Sequence, residues 1–269
     1  MSMWRERTEN KGTLPGDGNT GTHRVNGGAL LLALLITGGC FVYYKLTTGL
    51  YLQLDSYYIG MVTASLFDTD NWCAMIHPVL CAVIRGLYAI YRGADWFSVL
   101  THMNVFLAAW WGLYFALNHR DSILHRLTLV LLLVWLLVKV RVWNENFTVI
   151  SSFYSVTGYL TLFRSHRGRC CRTAIGLYFI LAGLFWRVES GLLFLPFAAL
   201  WLLTEYLLQR HDPEGRGLLL KKAGFLAVLL LASVGIQLAA EHANADAVRY
   251  NNARSQVEDF PMLSWESLP

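Results

Sequence analysis

The stretch "IHPVLCAVIRGLYAIYR", Ile76–Arg92, is apolar enough to pass for a membrane crossing, yet it carries Arg85 inside it and Arg92 at its end. Whether it crosses decides how the rest of the chain is threaded. Around it, apolar runs recur near 28–50, 96–118, 127–143, 147–163, 173–187, 189–208 and 223–240. Each approaches the roughly 17–25 residues that a helix needs to span the hydrocarbon layer. The composition agrees, since 55% of the 269 residues are hydrophobic and only 15% are charged. A soluble core of this size needs fewer apolar residues, so a bilayer accounts for the surplus.

The loops between the runs divide by charge. Residues 51–75, "YLQLDSYYIGMVTASLFDTDNWCAM", hold three aspartates and no lysine or arginine. "NHRDSILHR" (118–126), "RSHRGRCCR" (164–172) and "RHDPEGRGLLLKK" (210–222) are basic. Positive loops stay cytoplasmic, which puts 51–75 outside. If every apolar run crossed, 118–126 would fall outside and break the pattern. The pattern is restored when 76–92 lies at the exterior interface as a juxtamembrane helix. Charge at the bilayer centre is costly, so Arg85 supports the same choice. The expectation is an all-α, multi-pass transmembrane helix bundle in the cell membrane, with juxtamembrane helices in its first exterior loop. Residues 1–27 read as a disordered cytoplasmic tail, 28–240 as the transmembrane domain with its first exterior loop at 51–95, and 241–269 as an exterior C-terminal segment.

Other classes are set aside by the same residues. The run "GGALLLALLITGGCFVYY" near the N-terminus has no A-x-A site and stays apolar past Cys40, so it reads as an uncleaved anchor. The five cysteines are odd in number and show no CxxC or Cys/His ligand spacing, which argues against zinc and a disulfide framework. Cys170 and Cys171 stand side by side near the bilayer and read first as unmodified thiols. The net charge of +4 sits in the short loops, leaving no basic domain for nucleic acid. The expected partner is membrane lipid. No cofactor and no divalent metal are indicated.

This threading gathers Asp55, His77, "WNEN" (143–146), "WRVES" (186–190) and the tail from Glu241 at the exterior face. Asp55 suits a general base, which must be a positioned group within hydrogen-bond reach of a hydroxyl. It suits a helix N-cap equally well in form. Arg187 and Glu189 cannot easily face lipid, so they mark a helix break or line a protein cavity. A spacing of two is poor for a direct pair on a continuous helix. "RYNNARSQVEDFP", Arg249–Pro261, reads as a solvated face with Arg254 and Glu258 at i,i+4. "NFT" (146–148) has the form of a glycosylation sequon but lies too near a crossing. The tryptophans, among them Trp72, Trp96, Trp110, Trp111, Trp143 and Trp186, read mostly as an interfacial belt.

"LDSYY" (54–58), "IHPVL" (76–80) and "ADWF" (94–97), in this order in the first exterior loop, resemble the first loop of GT-C glycosyltransferases. They look like that class's D-[DE]-x-Y stretch, its HPP-like turn and the start of its second crossing. The resemblance implies transfer of a sugar from a polyprenyl-phosphate donor to an acceptor at the exterior face. It implies Asp55 as base, with His77, Arg85, Arg187 and Glu189 shaping the donor site, where developing phosphate charge must be met by cations or donors. Ser56 stands where an acidic residue is common, and Val79 where a second proline is common. These departures imply a divergent member, and the stop at Pro269, where many such enzymes continue with further helices or a soluble domain, implies a fragment or a short relative without activity. The alternatives are a non-catalytic membrane subunit, a transporter-like protein, or a polysaccharide polymerase or ligase.

Overall fold

The computed structural model describes residues 26–47, 54–63, 73, 75–118, 122–140, 142–143, 146–163, 170–208, 213–246, 248–249 and 252–253. All regular structure among them is helical. The helices are α1 (Gly27–Thr47), α2 (Leu54–Thr63), α3 (Pro78–Ile90), α4 (Trp96–Leu117), α5 (Ile123–Val138), α6 (Phe147–Phe163), α7 (Cys170–Trp186), α8 (Val188–Leu192), α9 (Leu195–Leu208) and α10 (Pro213–Ala243). Among the described residues, four stretches are long and apolar enough to cross a bilayer: α1, α4, the α8–α9 run Val188–Leu208, and α10. Helices α5, α6 and α7, at 16 to 17 residues, are shorter. At 1.5 Å per residue they run about 25 Å.

The starts follow from local chemistry. Pro78 opens α3 behind the His77 cap, Asp95 caps α4 at Ser98 N (3.2 Å), and Ser122 caps α5 at His125 N (3.3 Å). Each side chain takes up a backbone N–H that the first helical turn leaves without a partner. The Ser122 cap starts α5 before the apolar run expected at 127. In the same way Pro213 and Glu214 open α10 well before 223, so most of "RHDPEGRGLLLKK" is helix and not loop. Proline loses nothing at a first position, and a carboxylate there meets the positive end of the helix dipole.

Side-chain contacts fix the directions. Trp110 Nε1 donates to Leu30 O (3.0 Å) while Phe41 packs edge-on to Phe106, so α1 and α4 are antiparallel. Tyr154 OH donates to Thr101 O (2.9 Å) and Trp111 Nε1 to Thr161 Oγ1 (2.9 Å), so α4 and α6 are parallel. Trp201 lies on Phe163, and Arg216 over Tyr206 at 4.2 Å, which brings α9 down beside α6 and sends α10 back. The bundle therefore has two ends. One holds the last turns of α1, α7 and α10 and the first turns of α4 and α6; it is named here for Arg187. The other holds the start of α1, the end of α4 and Cys171.

Helix α3 has both its ends at the Arg187 end. His77 N donates to Phe185 O (3.0 Å) in the last turn of α7, and Tyr91 O accepts from Trp96 Nε1 (2.7 Å) at the start of α4. It does not cross. Leu80, Cys81 and Ile84 are buried, Val83 and Ile90 are exposed, and Arg85 is half-buried. The short α2 packs against α3 and α4, so the first loop holds two short helices as expected.

The tightest seam is α6 against α7, which run antiparallel. A Cβ added at Gly158 would stand 2.6 Å from Ile180 N and 2.8 Å from Gly176 O, and one at Gly176 would stand 2.8 Å from Leu162 N. Small residues let helix backbones approach in this way when lipid gives no hydrophobic drive to associate. Trp143 and Trp186 correct the belt reading. Both are buried: Trp143 packs on Phe41 with centroids 5.1 Å apart, and Trp186 Nε1 donates to Thr101 Oγ1 (3.1 Å).

Gly158→Ala should lower the thermal stability of the detergent-solubilised protein, because the obstructing atoms are backbone; overpacking of this kind typically costs about 1–3 kcal/mol. Gly224→Ala, with nothing within 4 Å of the new methyl, should leave it unchanged or slightly raised. Equal melting of the two variants would contradict the close α6–α7 approach.

Candidate functional site at the Arg187 end

The site is built where α7 stops. Arg187 has an extended backbone, φ −161° and ψ 114°, so the helix is interrupted there and resumes as α8. The interruption leaves Phe185 O to take the N–H of His77 (3.0 Å), and a carbonyl buried here without any donor would be a cost. Gly183 O and Arg187 O keep the backbone donors Arg187 N (3.1 Å) and Gly191 N (3.0 Å). Ser151 Oγ on α6 reaches both as well, at 2.7 and 2.9 Å, with one proton to share between them.

The break also lets Arg187 and Glu189 meet. Arg187 Nε lies 3.5 Å from Glu189 Oε2, which the sequence spacing of two disfavours only on a continuous helix. Arg187 Nη1 donates to Thr148 Oγ1 (2.5 Å), and its guanidinium sits over the Phe147 ring at 5.0 Å. The side chain is 38% exposed and that of Glu189 is 73% exposed. An arginine held on an aromatic face by a hydroxyl and a carboxylate keeps its planar fork oriented at a solvent-facing edge. Asn146 caps α6 through Oδ1 to Thr148 N (3.1 Å) and Val149 N (3.2 Å). Both polar members of the "NFT" triplet are thus engaged in this corner.

His77 is placed differently. It is 1% exposed and stacked on Phe185 with ring centroids 4.8 Å apart. Nδ1 accepts from Val79 N (3.2 Å), so the ring proton belongs on Nε2, which lies 3.1 Å from Ser233 O and 3.3 Å from Ser233 Oγ. This is a neutral imidazole. Burial lowers its pKa, and the bond to the Ser233 carbonyl offsets that only in part. The ring closes the joint between α3 and α10, while its backbone sits two residues' reach from Arg187.

The α10 partner carries residues that the sequence reading passed over. Ser233, Gln237 and Glu241 repeat at i,i+4, the first two within the apolar stretch that follows Lys222, and all are on the half of α10 nearest the Arg187 end. Gln237 Nε2 donates to Glu241 Oε1 (2.8 Å), and Ser233 and Gln237 are buried. Polar residues four apart in a crossing were the available signal, because such residues rarely face lipid.

Of the remaining expected residues, Arg85 lies on α3 itself, about two turns after the His77 cap. Asp55 falls in the first turn of α2, with its side chain outside the described residues; Trp72, Arg254 and Glu258 lie outside them as well. α2 is placed by its far end, where Gly60 stands against Asp95, its added Cβ 3.8 Å from the carboxylate. Arg249 pairs at 3.7 Å with Asp246 on an exposed surface. Among the described residues, no group of three His, Cys, Asp or Glu could hold a metal ion. Cys73 is packed at 1% exposure, and Cys171 is exposed.

No family model, curated protein or solved structure matches this chain. The reading of the site therefore rests on its own residues.

Because the His77 pKa is lowered in the folded protein, its contribution to stability is fully present above the unfolded value near 6.5 and is lost as pH falls toward the folded value. Thermal stability should decline as the pH is taken below about 6.5. His77→Asn, which can still cap α3, should flatten that decline. An unchanged slope in the Asn variant would assign the effect to other groups.

Proposed function

We propose that the protein is a GT-C-like glycosyltransferase of the cell membrane, transferring a sugar from a polyprenyl-phosphate donor to an acceptor at the exterior face. The observation that carries this reading is the convergence at one end of the bundle. A non-crossing α3, the α2 helix that begins with "LDSYY", and the Arg187–Glu189 break share that end. The helix ends that flank the basic stretches 118–126, 164–172 and 210–222 lie at the other, so the bias of lysine and arginine toward the cytoplasm favours an exterior Arg187 end, with the N-terminus inside and the C-terminus outside.

In this reading Asp55 accepts the proton of the acceptor hydroxyl as it attacks the anomeric carbon. Arg187, oriented by Phe147, Thr148 and Glu189, meets charge developing on the leaving phosphate, with Arg85 as a second cation on α3. His77 orients the α3 start against α7 and α10 and does not offer a charge. That internal role of His77 also favours a second reading, a non-catalytic membrane subunit in which the same polar joint serves packing alone.

Asp55→Asn separates the two. Asparagine caps a helix about as well as aspartate, so expression and insertion should be intact, whereas loss of a general base typically costs about 10²–10⁴ in rate. Transfer from a polyprenyl-phosphate sugar, assayed in membranes at matched protein levels, should be nearly abolished. Turnover equal to that of the parent would remove Asp55 as the base and leave the packing reading.

A further inference from the structure

An apolar opening in the bundle lies away from this site. A cavity of about 480 Å³ sits between α1, α4 and α7 at the Cys171 end. Its mouth is marked by Leu30 in the first turn of α1, Tyr114 in the last turn of α4 and Cys171 in the first turn of α7. It reaches in as far as Tyr178, seven residues down the helix and so about 10 Å deep. α4 forms the floor, with Trp110 and Trp111, and α1 and α7 are the walls. The tryptophan N–H groups are turned away to Leu30 O and Thr161 Oγ1, so the space offers little for water to bond. Both helices that wall it are membrane crossings by composition or by packing, which puts the opening at acyl-chain depth.

The rim differs sharply in chemistry. Arg172 follows Cys171 in the first turn of α7, at the mouth of the cavity. An apolar slot with an arginine beside its mouth matches a molecule with a hydrocarbon chain and an anionic head. A peptide helix is too wide for this volume, and an extended peptide would find no backbone partners on these walls. We infer that the groove between α1 and α7 holds one acyl chain of an anionic diacyl phospholipid, its phosphate resting at Arg172. Basic pockets between membrane helices bind lipid headgroups by the same combination of charge and chain burial. The volume lies within the range of about 300–1,000 Å³ usual for ligand pockets. The site is independent of the Arg187 end and does not require the glycosyltransferase reading.

The test uses full-length protein, delipidated in mild detergent and titrated with phosphatidylglycerol or phosphatidylcholine of identical chains, with bound lipid counted by native mass spectrometry. One phosphatidylglycerol should be retained at least about tenfold more tightly than phosphatidylcholine. Ala174→Trp, placed on an exposed groove position of α7, should abolish retention, and Arg172→Gln should bring the two lipids close to parity. Should Ala174→Trp fail to fold, alkylation of Cys171 in a Cys170→Ser protein serves instead: phosphatidylglycerol should slow it and phosphatidylcholine should not. Equal retention of the two lipids by the parent would overturn the assignment. So would retention undiminished by a folded Ala174→Trp, or in the substitute assay an alkylation rate that phosphatidylglycerol leaves unchanged. Preferential retention of a single-chain isoprenoid phosphate would also overturn it.

Discussion

One backbone hydrogen bond, from His77 N to Phe185 O, holds the two halves of this molecule in register. It joins the start of α3 to the last turn of α7, across more than a hundred residues of chain. Both groups are ones that helix ends leave unsatisfied: a carbonyl before the Arg187 break and an amide just ahead of Pro78. His77 is buried in the protein, so its amide must find a protein partner, and the carbonyl supplies it. Their pairing draws α3 across the end of the bundle. The first loop is thereby folded onto the same end as Arg187 and Glu189. The His77 ring then extends the joint to α10 through Ser233.

The seam of α6 and α7 makes that joint possible. Ser151, Gly158, Gly176 and Gly183 let the two backbones come close, and Ser151 Oγ bridges to the carbonyls on either side of the break. Interhelical hydrogen bonds in membranes are each worth only about 0.6–2 kcal/mol. Several meet here, from Tyr154, Trp186 and Ser151, so rigidity comes from their number around one small volume. A rigid corner is what holding the Arg187 guanidinium over Phe147 requires.

Much of this was legible in the chain. Arg85 within an apolar run, and the charges of the flanking loops, identified α3 as a helix that does not cross. "HP" announced its first turn, and "WRVES" announced a break. Other parts were hidden for identifiable reasons. The Arg187–Glu189 contact depends on an extended backbone at one residue, which helical spacing rules mask. Ser233 meets His77 only through tertiary packing, and its signal, a polar residue recurring every four along α10, is faint within thirty-one residues of helix. The early start of α10 was obscured because Lys221 and Lys222 look like loop, although Pro213 and Glu214 are good first-turn residues. The buried Trp143 and Trp186 resemble belt residues by position alone.

The central claim is that α3 lies across one end of the bundle and thereby gathers the polar residues there. In a protein whose own cysteines other than Cys171 are replaced by serine, single cysteines at exposed Arg92 and exposed Glu189 report on this directly when intact cells are treated with an impermeant thiol reagent. Positions 92 and 189 should be labelled from the same side of the membrane, and Cys171 from the opposite one. Labelling of positions 92 and 189 from opposite sides would mean that α3 crosses and that the gathered site does not exist.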